Sequence, residues 1–135
     1  MHRSRLGGFI IDCRTDDLPA AAGFWSAALG MQILGDDGPR YLRLDASTRD
    51  LTVEVQRVEH ESRVHLDIES DDIEAEVRRL ERQGAKRVQQ GAAWWVMQAP
   101  SGQRFCVVQA REDLAGAPGP IPAVLPGQAG KMLAQ

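Results

Sequence analysis

The sequence predicts an α+β domain in which two tandem β-α-β-β-β modules merge into one curved, mostly antiparallel eight-stranded sheet with a concave ligand cup. Three observations carry this reading. Two acidic pairs, Asp16-Asp17 and Asp71-Asp72, stand fifty-five residues apart, each directly before an apolar helix-start residue, Leu18 or Ile73. Each start leads into apolar residues at helical spacing and then a glycine, Gly30 or Gly84. Each helix is followed by three short segments of strand character separated by turn residues. The modules cover about residues 9–58 and 63–110 of a domain spanning 9–110, and residues 111–135 form a Pro/Gly-rich tail.

In chain order, Phe9-Ile10-Ile11 opens a short strand. The carboxylate of Asp17 can cap orphan amides, and Pro19 suits a first helical turn. Leu18, Ala22, Trp25 and Leu29 then share one helix face, and Gly30 supplies a left-handed end. Strands are expected at residues 31–35, 40–44 and 51–58. The second module repeats the plan. It has a strand over 64–69, a helix with Ile73, Val77 and Leu80 on one face, and strands over 86–89, 93–98 and 103–109. Residues 116–130 hold four prolines and four glycines, which excludes a helix or a central strand. That stretch reads as a flexible tail or as an arm packing on a partner subunit.

Composition narrows the function classes. The 135 residues are 43% hydrophobic and 26% charged, as in an ordinary globular domain able to bury a core without staples. A net charge of −3, with basic residues scattered among acidic ones, excludes a nucleic-acid binder. Cys13 and Cys106 alone make no disulfide framework. Met1 to Gly8 is basic but lacks the apolar run of a secretory signal, and no stretch is long enough to span a membrane. A cytoplasmic protein with no membrane partner is expected.

Strand alternation sorts the side chains. Val53, Val55, Val64, Leu66 and Ile68 are expected beneath the helices. The opposite faces carry Tyr41, Arg43, Glu54, Gln56, His65, Asp67, Arg104 and Cys106. Trp94 and Trp95 alternate, so one of the two joins the cup, where its indole can stack on a planar ligand. Arg43 and Arg104 suit an anionic group. His65 is a candidate ligand contact or general base, its proton position set by Asp67 or Glu54, and Glu54 is the second catalytic candidate. His60, in the charged linker 59–63, reads as solvated.

Together these motifs resemble the vicinal oxygen chelate superfamily, which includes glyoxalase I, the bleomycin-resistance proteins and the extradiol dioxygenases. The matching features are Asp17-Leu18, Phe24-Trp25, Leu29-Gly30-Met31, His65-Leu66-Asp67 and Pro100-Ser101-Gly102. Trp94-Trp95-Val96-Met97 and Phe105-Cys106-Val107-Val108 resemble its glyoxalase-like subfamily. In the metal-dependent members, the resemblance implies ligands on the first and last strands of each half. The corresponding positions are Ile10, Gln56 or Glu54, His65 and Cys106. A hydrocarbon in that set makes it a poor metal site, so no metal or other cofactor is expected, although Cys106 with His65 and Glu54 could form a residual zinc set. The resemblance therefore implies a metal-independent small-molecule-binding protein working as a homodimer. The alternatives are a metal-dependent lyase, isomerase or dioxygenase of the glyoxalase type, and a drug-sequestering resistance protein.

Overall fold

The computed structural model describes residues 1–36 and 38–114. Ten regular elements follow in chain order: β1 (Ser4–Cys13), α1 (Leu18–Leu29), β2 (Ile33–Asp36), β3 (Tyr41–Leu44), β4 (Thr52–Arg57), β5 (Arg63–Ser70), α2 (Ile73–Arg82), β6 (Lys86–Gln90), β7 (Trp94–Gln98) and β8 (Arg104–Gln109). A single turn of 3₁₀ helix, Ser47–Arg49, leads into β4.

Both helix starts are set by the predicted carboxylates. Asp17 accepts the Ala20 amide at 3.0 Å, and Asp72 accepts the Ala75 amide at 3.0 Å, each satisfying a donor left open by the first turn. Gly30 ends α1 with φ 68°, a backbone state that a side chain would oppose. Helix α2 ends one residue earlier than its glycine, at Gln83, and Gly84 follows with φ 101°.

The strands form one mixed sheet in the order β2-β3-β4-β1-β5-β8-β7-β6. Within each half the first strand runs parallel to the last, β1 to β4 and β5 to β8, and the other pairings are antiparallel. The halves meet at an antiparallel β1–β5 seam in which Ile10 lies opposite His65, Phe9 opposite Leu66 and Ile11 opposite Val64. A half-turn through the Ile10–His65 pair thus exchanges the two modules, in keeping with their fifty-five-residue spacing.

Helix α1 lies over β2, β3 and β4, and α2 touches all four strands of its own half. Leu18 and Ala22 of α1 pack with Ile11, Cys13, Leu44, Val53 and Val55, and Val77 of α2 packs with Met97 and Val107. The seam between the helices is left open, which corrects two expectations. Val64 and Leu66 occupy the helix-side face but are 57% and 51% exposed, because α1 packs over β2, β3 and β4 and α2 over its own half. Leu29 is also exposed, and Trp25 is half-buried, its ring set edge-on to Phe24.

The first strand is ten residues long and begins before Phe9, where a short strand was expected to open, since Ser4, Arg5 and Leu6 pair with Ser70, Glu69 and Ile68. Leu114, placed in the tail by composition, is buried, while the expectation for residues 116–130 lies outside the described residues. Among the described residues, no helix is long and apolar enough to cross a membrane.

Candidate functional site

The sheet face away from the helices holds a cavity of about 680 Å³ at the junction of the halves. Its floor is built by alternation on the central strands: Ile10 and Asp12 from β1, His65 and Asp67 from β5, Glu54 and Gln56 from β4, and Cys106 from β8. One wall is apolar and comes from the second half, with Trp94, Val96, Phe105 and Val108. Arg40, Arg63, Arg104 and Arg111 also line the hollow.

The cavity gathers eight of the sequence-derived candidates: Tyr41, Glu54, Gln56, His65, Asp67, Trp94, Arg104 and Cys106. Two others stand elsewhere. Arg43 shares the sheet face but lies nearer its edge, in a neighbouring hollow with Arg5, Asp50 and Glu69. Trp95 points to the helix side, packs on the second core and carries the Arg87 guanidinium 4.8 Å from its ring centroid. Trp94 is therefore the cup-side indole, 42% exposed. His60 is not simply solvated: it lines the cavity, and its Nε2 is 3.9 Å from Asp12.

Sequence reasoning missed Asp12. This residue is 2% exposed, and its Oδ2 accepts from His65 Nδ1 at 2.7 Å. Its signal was available: Asp12 is two residues after Ile10, so continuing the strand puts both on one face. On the other side of the ring, His65 Nε2 is 3.4 Å from Asp67 Oδ1. Asp12, with Asp67 across the ring, thus sets the imidazole's proton positions, the role expected of Asp67 or Glu54. Glu54 turns toward Arg111, at 3.6 Å.

Burial alone would lower the His65 pKa, but hydrogen bonds to Asp12, Asp67 and Cys106 outweigh it and push it up to about 11. At neutral pH the ring is an imidazolium, a donor rather than a base. Burial first, and then the charges of Glu54 and Asp67, raise the Tyr41 pKa, so its phenol stays neutral. Its oxygen accepts from Gln56 Nε2 at 2.8 Å.

Residues 8–108 match the family model of the glyoxalase-like domain, three-quarters of the chain, and this chain belongs to that family. Several solved structures share the fold. A hypothetical protein from Bacillus halodurans C-125 has a TM-score of 0.62 at 15% identity, covering 82% of this chain and 96% of its own. Methylmalonyl-CoA epimerase from Mycobacterium tuberculosis has a TM-score of 0.59 at 19% identity, covering 83% and 91%. A glyoxalase/bleomycin resistance protein/dioxygenase superfamily member from Vibrio splendidus 12B01 has 0.51 at 17% identity, covering 81% and 98%. No curated protein matches the chain.

Family membership raises the question of a metal on the four strand positions, and the register identifies them. Gln56 lies opposite Asp12 as Cys106 lies opposite Asp67, so Gln56 rather than Glu54 is the counterpart of Cys106. The set is then Ile10, Gln56, His65 and Cys106. Ile10 offers no donor, and Gln56 is engaged with Tyr41, so these residues do not fit the metal of the metal-dependent members.

Proposed function

We propose that this protein binds a small amphipathic molecule in the cup, with a planar apolar part on the second-half wall and an anionic or polar group toward the arginines. The observation that carries the reading is the chemical division of the 680 Å³ cavity, apolar on the Trp94–Val96–Phe105–Val108 side and ionic around His65. A hollow of this size suits a metabolite-sized ligand, and the mix of apolar wall with a few convergent polar groups is typical of such sites. Trp94 offers a stacking face, and Arg104 a fork for carboxylate or sulfonate. The reading needs no metal, since every contact invoked runs from side chain to ligand.

A second reading, proton-transfer chemistry of the glyoxalase type, draws on the Asp12–His65 pair. An imidazolium held at 2.7 Å by a buried carboxylate can polarise a substrate carbonyl from Nε2.

The test uses 1-anilinonaphthalene-8-sulfonate, a planar anion, in a fluorescence titration of folded protein. Binding is expected at one site per chain, weakened at least tenfold by Trp94→Ala and by Arg104→Ala. Wild-type affinity in both variants would refute the proposal. Turnover is separated from binding by His65→Gln, which should spare dye binding.

A further inference from the structure

Cys106 stands at the chemical boundary of the cup. In the sheet register it has Val96 of the apolar wall directly beside it on β7 and Asp67 of the ionic floor directly beside it on β5. Given the cup reading above, on which this assignment rests, we propose that the Cys106 thiol is a nucleophile that captures a planar α,β-unsaturated carbonyl compound, with His65 holding the carbonyl oxygen and Asp67 taking the thiol proton.

The placement follows from the sheet. His65 and Asp67 are two residues apart on one face of β5, and one polar side-chain atom from each of His65, Asp67 and Cys106 lies within 4.8 Å of the other two. Asp12 engages His65 Nδ1 at 2.7 Å, so Nε2 is the nitrogen turned to Asp67 and the thiol. The Nε2 contact with Asp67 Oδ1, at 3.4 Å, is longer than the ~2.7–2.9 Å of a full charge-assisted bond, so the same N–H can be shared with an oxygen entering the cup. Cys106 is half-buried and lines the hollow, which leaves its sulfur open to a ligand, whereas Cys13 is buried in the core on the helix side.

The order of groups selects the ligand class. In a conjugated carbonyl the electrophilic β-carbon lies between the oxygen and the apolar group carried by the double bond. Here the sulfur lies between the His65 donor and the wall of Val96 and Trp94. A ligand with its apolar end on that wall and its oxygen at Nε2 therefore sets its β-carbon over the sulfur. As the sulfur pair forms the S–C bond, the thiol proton passes to the Asp67 carboxylate. The π pair of the C=C bond moves toward the carbonyl, and the resulting enolate oxygen is held by the His65 N–H. The proton on Asp67 then goes to the α-carbon. The net change is addition of S–H across C=C, with nothing oxidised or reduced by an outside reagent.

The experiment incubates full-length protein with benzylideneacetone, a planar enone carrying a phenyl ring, and follows the adduct by intact-protein and peptide mass spectrometry. One adduct per chain is expected, on Cys106, forming about 100-fold faster than with N-acetylcysteine in the same buffer and saturating with enone concentration. Cys106→Ser should abolish it, and Cys13→Ser should keep it. His65→Gln and Asp67→Asn should each slow capture about tenfold, with anilinonaphthalene sulfonate binding as the check that each variant is folded. Capture no faster than with N-acetylcysteine, an adduct on another residue, or wild-type rates in both variants would overturn the assignment. Dye binding without capture removes the nucleophile and leaves the cup. Saturable capture on Cys106 without dye binding keeps the nucleophile and removes the anionic side of the cup.

Discussion

At Gly8 a side chain on β1 would meet the backbone of β4, and replacing it tests how these two strands pair. A Cβ at this position would lie 1.8 Å from the Thr52 carbonyl oxygen, 2.7 Å from its carbon and 2.8 Å from its amide nitrogen. All three are backbone atoms, so no side chain can swing aside, and the 1.8 Å contact must open beyond 3.0 Å. Gly8 and Thr52 begin the six-residue ladder that ends at Cys13 and Arg57. Overpacking of this kind costs about 1–3 kcal/mol, and each ladder bond lost adds about 0.5–1.5 kcal/mol. Gly8→Ala is therefore expected to destabilise by about 3 kcal/mol and to lower Tm by about 10 °C. Gly23, inside α1 with nothing within 4 Å of a built Cβ, is the control. Gly23→Ala should stabilise by about 0.5–1 kcal/mol through helix propensity. Urea unfolding gives both numbers from the midpoint at constant slope. A Gly8→Ala protein as stable as wild type would refute the close approach of β1 to β4.

Two other predictions concern charge. Glu76 is fully buried in α2, held by Arg79 at 2.7 and 2.8 Å and by His2 at 2.9 Å. Burial would raise its pKa, but the bonds to Arg79 and His2 lower it, so its stabilising contribution is present above pH 4.5 and lost as pH falls through the lower folded value. Glu76→Ala should cost about 3–5 kcal/mol at pH 7, with a smaller gap to wild type at pH 3; an unchanged gap would exclude the linkage. For His65 the sign is opposite. In the folded protein its pKa rises from 6.5 to about 11, so its contribution is complete below pH 6.5 and fades as pH climbs toward 11. The stability difference between wild type and His65→Gln should shrink from pH 7 to pH 10, and an imidazole resonance titrating near pH 6.5 would contradict the Asp12 pairing.

Much of the fold could be read from the chain because its punctuation is local. A capping carboxylate and a terminal glycine act within one helical turn, so Asp17, Asp72 and Gly30 announce their roles without tertiary information. The length of β1 could not be read this way. Ser4 to Gly8 contains arginine, serine and two glycines, and only pairing with β5 makes it a strand. Asp12 was lost with it, because a strand read only as short, from Phe9-Ile10-Ile11, was not followed to the next cup-facing position. Alternation placed Arg43 on the correct face, but it gives no lateral position, and the residue falls in the next hollow. Nor does it say which face of β7 meets a helix, so the choice between Trp94 and Trp95 waited on β7's register with β8, where Trp95 lies opposite the buried Val107. The exposure of Val64 and Leu66 reflects how far two short helices reach across an eight-stranded sheet, which no strand pattern encodes.

The half-turn through Ile10 and His65 has a consequence for recognition. A hollow with two equivalent sides would admit a guest in two poses related by rotation, with nothing to choose between them. Here hydrocarbon faces imidazole across the axis, and Trp94 and Phe105 on one side stand against Tyr41 on the other. On the proposed function the degeneracy is gone, and a bound ligand would have a single preferred heading. The same replacement that denies the first module a metal donor thereby gives the duplicated scaffold a front and a back.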